Sequence, residues 1–388
     1  MAGSALTSVS SAHGSGAIRG ADPRPEPARR PALASLTSLR ALAAAGVFVS
    51  HAGFFVGRTD LTGPISDGGG AGGVTFFFVL SGTILAYNYA GGFSIGRFYR
   101  KRVARIYPVY VLAFVLGAVV EAARDRGLEL FSPELIVKNL LMIQGWIPNG
   151  EAVPATSWTL SCEMFFYAMF PLLIVVLGRI PIRALPAIGG LMLILAILSA
   201  SLVHESAPGG DAFFLSPLGR IPEFAMGVLL GLHLPRLIGA PSSFVRRRST
   251  LLLAACGVAV VAFPFVVTEL PQLRERINLY VPICMVAIVA AAAGDLNGPH
   301  WISDRRLVVA GLWSYVFYSV HESIILCVDA VMGSPPGLVI GIPLAIATFV
   351  GTGILAGLIF RRWEEPWRER IGGSRPKEVM LAAEPGSR

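Results

Sequence analysis

The sequence predicts an all-α integral membrane protein with about ten transmembrane helices and both termini in the cytoplasm. Three observations predict this. The 388-residue chain is 54% hydrophobic and only 14% charged, with a mean hydropathy of +0.65, whereas a soluble domain carries about 25% charged residues. Ten apolar stretches reach the length needed to cross a bilayer. Basic residues are dense in every second connecting segment and sparse in the others.

This composition excludes an ordinary cytosolic enzyme, a nucleic-acid binder and a disordered chain. The net charge of +8 reads as cytoplasmic loops facing anionic lipid rather than as a site for a polyanion. Lys occurs only at Lys101, Lys138 and Lys377, the other basic residues are Arg, and Ala and Gly are abundant. That is the composition of a GC-rich genome. Cys162, Cys256, Cys284 and Cys327 lie inside apolar runs without metal-ligand spacing, so they read as small membrane-helix residues.

Residues 1–36 are rich in Gly, Ser, Pro and Ala and read as a disordered cytoplasmic tail. No short apolar region follows their charges, so they do not read as a signal peptide. The spans then fall near 38–57, 71–90, 104–123, 156–178, 184–203, 213–234, 250–268, 277–294, 308–332 and 337–360. Together they make one transmembrane domain over 37–367, with a cytoplasmic tail over 368–388. With the N-terminus inside, the inside segments hold 24 Lys and Arg and the outside loops hold six. An error of one span would scramble that alternation downstream. The stretch 131–146 is apolar but interrupted by Glu134, Lys138 and Asn139. It reads as an interfacial or re-entrant helix in the longest outside loop. No internal repeat is visible, which weighs against an inverted-repeat transporter.

Ionisable side chains inside spans are costly and mark function. Here they are Arg40, His51, Glu163, Arg220, Glu223, His321, Glu322 and Asp329. Arg40 and His51 stand eleven residues apart on the first span. That spacing puts them within about 20° of one helix face and about 16 Å apart along the axis. Arg40 lies at the cytoplasmic end and His51 in the outer half. The fourth span enters from outside and carries Glu163 to about 10 Å below the outer surface, close to the depth of His51. A carboxylate and an imidazole at one depth can pair and fix the histidine tautomer. Arg220, at similar depth, is the alternative partner for Glu163. Ser81 lies beside Gly82, either in a small-residue helix contact or in a chemical role. Arg97, Arg100, Lys101, Arg102 and Arg105 precede the third span. Arg102 and Arg105 share a helix face and can clamp a phosphate at the membrane level of Arg40. His321 and Glu322 sit mid-span, as a buried hydrogen-bonded pair or as part of a cavity wall.

From about 36 to 367 the chain resembles the membrane-bound acyltransferase-3 family. The resemblance rests on an ordered series. Ser38-Leu39-Arg40 is followed by His51 in an R-x10-H pattern. Gly73-Val74 leads to Phe78-Val79-Leu80-Ser81-Gly82. Phe98-Tyr99 precedes Arg102-x-x-Arg105-Ile106-Tyr107-Pro108. Trp158-Thr159-Leu160 precedes Glu163 and Phe166-Tyr167. Glu223-Phe224 with Gly227, Ser314-Tyr315 with His321, and Glu365-Pro366 complete it.

The resemblance implies O-acyl transfer, usually of acetyl from acetyl-CoA, to a hydroxyl of a sugar, polysaccharide or natural product. About 28 residues follow the last span. The likeness is therefore to the stand-alone subgroup that includes macrolide O-acyltransferases, rather than to members with an added hydrolase-like domain. The implied roles are His51 as base or acyl carrier, oriented by Glu163, with Arg40, Arg102 and Arg105 on the CoA phosphates. Ser81, Tyr167, Arg220 and His321 are supporting or oxyanion candidates. Neither a metal nor a resident cofactor is expected. The expected partners are acyl-CoA, a hydroxylated small-molecule or glycan acceptor and the bilayer of the cell membrane. A rival reading is a transporter or flippase for a similar glycoside or lipid-linked sugar, which predicts no dependence on acyl-CoA.

Overall fold

A computed structural model describes residues 33–373 apart from 52, 58, 60–61, 67–69, 127–131, 148–151, 195–215, 240–243, 270–278 and 299. The expected tail segments 1–32 and 374–388 lie outside the described residues. Among the described residues the chain is helical throughout its regular elements and has no strand.

The principal helices in chain order are α1 (Ala34–Ser50), α2 (Gly70–Tyr89), α3 (Ile95–Glu121), α4 (Pro133–Leu140) and α5 (Trp158–Leu177). After the short apolar α6 (Ile182–Ile194) come α7 (Pro217–Gly239), α8 (Ser249–Glu269) and α9 (Tyr280–Asp295). They are followed by α10 (Arg305–Met332), α11 (Leu338–Ile359) and α12 (Glu365–Gly372). Among the described residues, eight helical stretches are long and apolar enough to cross a membrane. They coincide with the spans expected on α1, α2, α3, α5, α7, α8, α10 and α11. The other two expected spans, 184–203 and 277–294, correspond to the shorter α6 and α9, each adjoining residues outside the described set.

The expected loop helix over 131–146 is α4, followed by a single 3-10 turn at Gln144–Trp146. Its start is well specified. The Ser132 hydroxyl accepts from the Leu135 N–H at 3.3 Å, and Pro133 opens the first turn. Lys138 pairs with Glu134 one turn away and holds that carboxyl below the usual carboxylate range. Asn139 is fully buried; its Oδ1 accepts from the Val153 N–H at 3.1 Å, and its backbone carbonyl accepts from the Tyr110 hydroxyl at 2.6 Å. The polar residues that interrupt this stretch thus fasten it to α3 and to the segment before α5.

Two features hold the site-bearing helices together. The first is the crossing of α2 and α7. A methyl group added at Gly82 would overlap the Phe224 carbonyl, and at Gly227 or Gly231 it would overlap the Val79 or Thr83 carbonyl. Only glycine lets these backbones touch. The second is the start of α1, where the Asp295 carboxylate accepts from the Ser35 N–H at 3.1 Å and from its hydroxyl at 2.5 Å. That satisfies a helix N–H group left without an intrahelical partner and fixes the helix that carries Arg40. Towards the same end, Tyr89, Phe93, Phe98 and Phe170 join α2, α3 and α5 through ring contacts of 5.1–6.2 Å. At the opposite end Arg124 and Asp329 form a 2.9 Å ion pair between the end of α3 and α10.

Candidate active site

Five helices, α1, α2, α3, α5 and α10, line a partly open cavity with about 820 Å³ of space within and at its mouth. It gathers Arg40, Ser81, Arg102, Arg105, Glu163 and Tyr167 into one lining, together with Thr159, Ser314, Tyr315 and Tyr318. Its apolar wall includes Val74, Phe77, Phe78, Leu80, Ile84 and Leu85 of α2. From Val74 to Leu85 the wall extends about 16 Å along the helix axis. The cavity therefore runs along the helix axis, with its arginines towards one end.

That charged end is built by α1 and α3. Arg102 and Arg105 are three residues apart and face the cavity with Arg40. The Arg102 guanidinium lies 5.8 Å from the centre of the Phe98 ring and 5.6 Å from that of Tyr167. Its Nε is buried and makes no hydrogen bond among the described residues. Glu163 and Tyr167 follow one another by one turn on α5, and the Tyr167 hydroxyl donates to the Glu163 carboxylate at 2.5 Å. This bond is charge-assisted, and it sets a carboxylate midway along the cavity.

His51, His321 and Arg220 do not line this cavity. His51 follows the last residue of α1, is half-buried, and places Nδ1 2.9 Å from the Val47 carbonyl oxygen. A carbonyl only accepts, so Nδ1 carries the proton in the neutral ring and Nε2 keeps its lone pair. The His51 ring meets the His321 ring edge-on at 5.2 Å. His321 is buried, donates from Nδ1 to the Tyr318 carbonyl at 2.7 Å, and stacks parallel to Phe317 at 6.0 Å. Its Nε2 has no hydrogen-bond partner among the described residues. The Tyr318 ring lies 5.6 Å from that of His321 and forms part of the cavity wall. His51 thus reaches the cavity through two aromatic neighbours. A His51–Glu163 hydrogen bond is absent among the described residues.

Arg220 forms a 2.7 Å ion pair with Glu223, three residues along α7, and both side chains are buried. The Thr75 hydroxyl donates to the same carboxylate at 3.2 Å. Phe78 and Trp158 cover the guanidinium at 5.5 and 5.7 Å. Adjacent in sequence, His321 and Glu322 take separate partners: the Glu322 carboxylate accepts from the Thr156 N–H at 2.7 Å. Thr159 belongs to the motif Trp158-Thr159-Leu160, but the sequence assigns no role to it or to Tyr318. Their hydroxyls lie 3.1 Å apart. Thr159 stands four residues before Glu163 on the same helix face, and that periodicity was the available signal.

The model of an acyltransferase domain matches residues 33–361 of this chain. The chain is 30% identical over 389 residues to Acyltransferase MdmB of Streptomyces mycarofaciens, covering 93% of this chain and 97% of that protein. It is 26% identical over 307 residues to the exopolysaccharide production protein ExoZ of Rhizobium meliloti, covering 74% and 86% respectively. No solved structure matches the chain. Matched across most of its length by this domain, the chain belongs to the acyltransferase-3 family and is an acyltransferase.

Proposed function

We propose that the protein is a multi-pass enzyme of the cell membrane that moves an acetyl or other short acyl group from acyl-CoA to a hydroxyl of a sugar-containing acceptor or a natural product such as a macrolide. The observation that carries this reading is the cavity, with three arginines at one end and a carboxylate midway. Arginine forks suit the phosphates of CoA. An apolar shaft about 16 Å long suits an extended acyl-pantetheine arm. The name of ExoZ supports a glycan acceptor, and the match along nearly all of MdmB supports acyl transfer.

In this reading His51 Nε2 takes the proton of the acceptor hydroxyl as its oxygen attacks the thioester carbonyl carbon. The imidazolium that forms stands beside the His321 ring, whose Nε2 has no hydrogen-bond partner among the described residues. Arg40, Arg102 and Arg105 hold the donor, and Glu163 with Tyr167 balances their charge along the shaft. The oxyanion needs a hydrogen-bond donor.

Membranes containing the protein, given labelled acetyl-CoA and a panel of macrolides, deoxysugar glycosides and cell-wall oligosaccharides, test this directly. Wild type adds acetyl mass to an acceptor. His51→Ala abolishes transfer while the protein still inserts. Arg40→Ala and Arg105→Ala raise KM for acetyl-CoA about tenfold or more, the scale of a lost charged hydrogen bond, with a smaller change in kcat. Full activity in His51→Ala sinks the histidine role. A wild type that moves a glycoside across the membrane without acetyl-CoA sinks the enzyme reading in favour of a transporter.

A further inference from the structure

Thr159, Glu163 and Tyr167 follow each other at four-residue steps on α5, and all three line the cavity. Tyr167 lies beneath Arg102. Thr159 is about 12 Å further along the helix axis, at the end remote from the arginines. Tyr318 reaches that remote end from α10. Its ring lies 5.9 Å from that of Phe77 and 5.6 Å from that of His321, which in turn lies 5.2 Å from that of His51. A donor held by its phosphates among the arginines extends its thioester towards this end, against Tyr318, with His321 and then His51 behind that ring.

The Thr159 hydroxyl lies 2.9 Å from the Thr156 carbonyl and 3.1 Å from the Tyr318 hydroxyl. One proton serves one of these contacts. If Thr159 donates to Thr156, Tyr318 spends its own proton on Thr159. If Thr159 donates to Tyr318, the phenol proton is released to the cavity. The same atoms support both states, and a substrate oxygen that accepts from Tyr318 selects the second.

We propose that Tyr318 is a catalytic residue whose hydroxyl donates a hydrogen bond to the thioester carbonyl oxygen as it becomes an oxyanion, and that Thr159 is the positioning residue that releases that proton. The proposal rests on the acyl-CoA reading above. The acceptor oxygen bonds to the carbonyl carbon, its proton passes to His51, and the carbonyl π pair moves onto oxygen. That pair returns as the carbon–sulfur bond breaks, and the CoA thiolate takes the proton from His51. Tyr318 keeps its proton throughout. The other donors are less suited. Tyr167 spends its proton on Glu163, and Arg220 is sealed behind Phe78 and Trp158. Ser81 is an aliphatic hydroxyl one turn past Phe77 toward the arginine end.

The test uses full-length protein in nanodiscs with acetyl-CoA and a panel of macrolides and methyl glycosides, read by product mass and by CoA release. Tyr318→Phe is expected to lower kcat about 100-fold, the loss typical of one oxyanion donor, with KM for acetyl-CoA and Kd for CoA within about threefold. On the same basis Thr159→Val lowers kcat about tenfold, and Thr159→Ser stays within about twofold of wild type. The proposal is overturned by Tyr318→Phe with near wild-type kcat, by a loss confined to KM or accompanied by lost CoA binding, or by Thr159→Ser as impaired as Thr159→Val. It is equally overturned if Ser81→Ala, rather than Tyr318→Phe, carries the loss. A wild type that neither acetylates the panel nor releases CoA overturns the acyl-CoA reading itself, an outcome distinct from an active wild type with an active Tyr318→Phe.

Discussion

Arg220 and Glu223 are 1% and 0% exposed, and the rings of Phe78 and Trp158 flank the guanidinium. Removing one member of such a pair strands the other charge and costs about 3–5 kcal/mol, whereas replacing both by apolar residues of similar volume is often neutral. Glu223→Ala is therefore expected to lower the thermal midpoint in detergent sharply, and Arg220→Met with Glu223→Leu to recover most of it. Because neither residue lines the cavity, the double variant is expected to retain acyl transfer. A stable but inactive double variant would return Arg220 to the chemistry. The i,i+3 spacing of this pair was visible in the sequence, as was the i,i+4 spacing of Glu163 and Tyr167. Partner choice between helices was not. Rise per residue gives the depth of His51 and Glu163, but whether two groups at one depth meet depends on how each helix is rotated about its axis. That rotation is set by packing. Here it turns His51 to His321, while Glu163 is met by Tyr167 of its own helix.

Helices α2 and α7 carry the same reasoning to the next scale. Ser81 faces the cavity from α2, and its neighbour Gly82 lies against the Phe224 carbonyl of α7. The close approach that Gly82 permits also sets where Ser81 stands. Gly227→Leu is expected to force α2 and α7 apart, giving little folded protein and no transfer in what remains. Gly257→Ala on α8, where an added methyl meets nothing within 4 Å, is expected to stabilise by up to about 1 kcal/mol through helix propensity. Size-exclusion profiles and thermal midpoints of the two variants separate a close-approach requirement from a general intolerance of side chains. The positions of eight long helices were legible because lipid-facing and core-facing apolar residues together fill a spanning window. α9 shows what apolarity alone leaves open about a helix's surroundings. Ala290, Ala291, Ala292 and Ala293 are all fully buried in protein, and hydropathy does not distinguish burial against helices from exposure to lipid.

Orientation belongs to the whole molecule, and the donor chemistry depends on it. The cavity carries its arginines at the end where α1 and α3 begin. Acyl-CoA is a cytoplasmic metabolite that does not cross a bilayer unaided, because its phosphates are charged. The acyl-CoA reading therefore requires that end to face the cytoplasm. The distribution of 24 basic residues against six predicts that it does. Ser94 caps the start of α3 without a side-chain bond, and Glu134 lies in the exposed first turn of α4. In a background with Cys327 replaced by Ser, the other three cysteines are buried. Glu134→Cys is expected to react with a membrane-impermeant maleimide on intact cells, and Ser94→Cys only after permeabilisation. The reverse pattern would place the arginines outside, where CoA is absent. It would leave the acyltransferase assignment standing and remove acyl-CoA as the donor, since the same three side chains would then have to hold some other anionic acyl carrier. One labelling experiment at the scale of the whole chain thus decides what Arg40, Arg102 and Arg105 can bind.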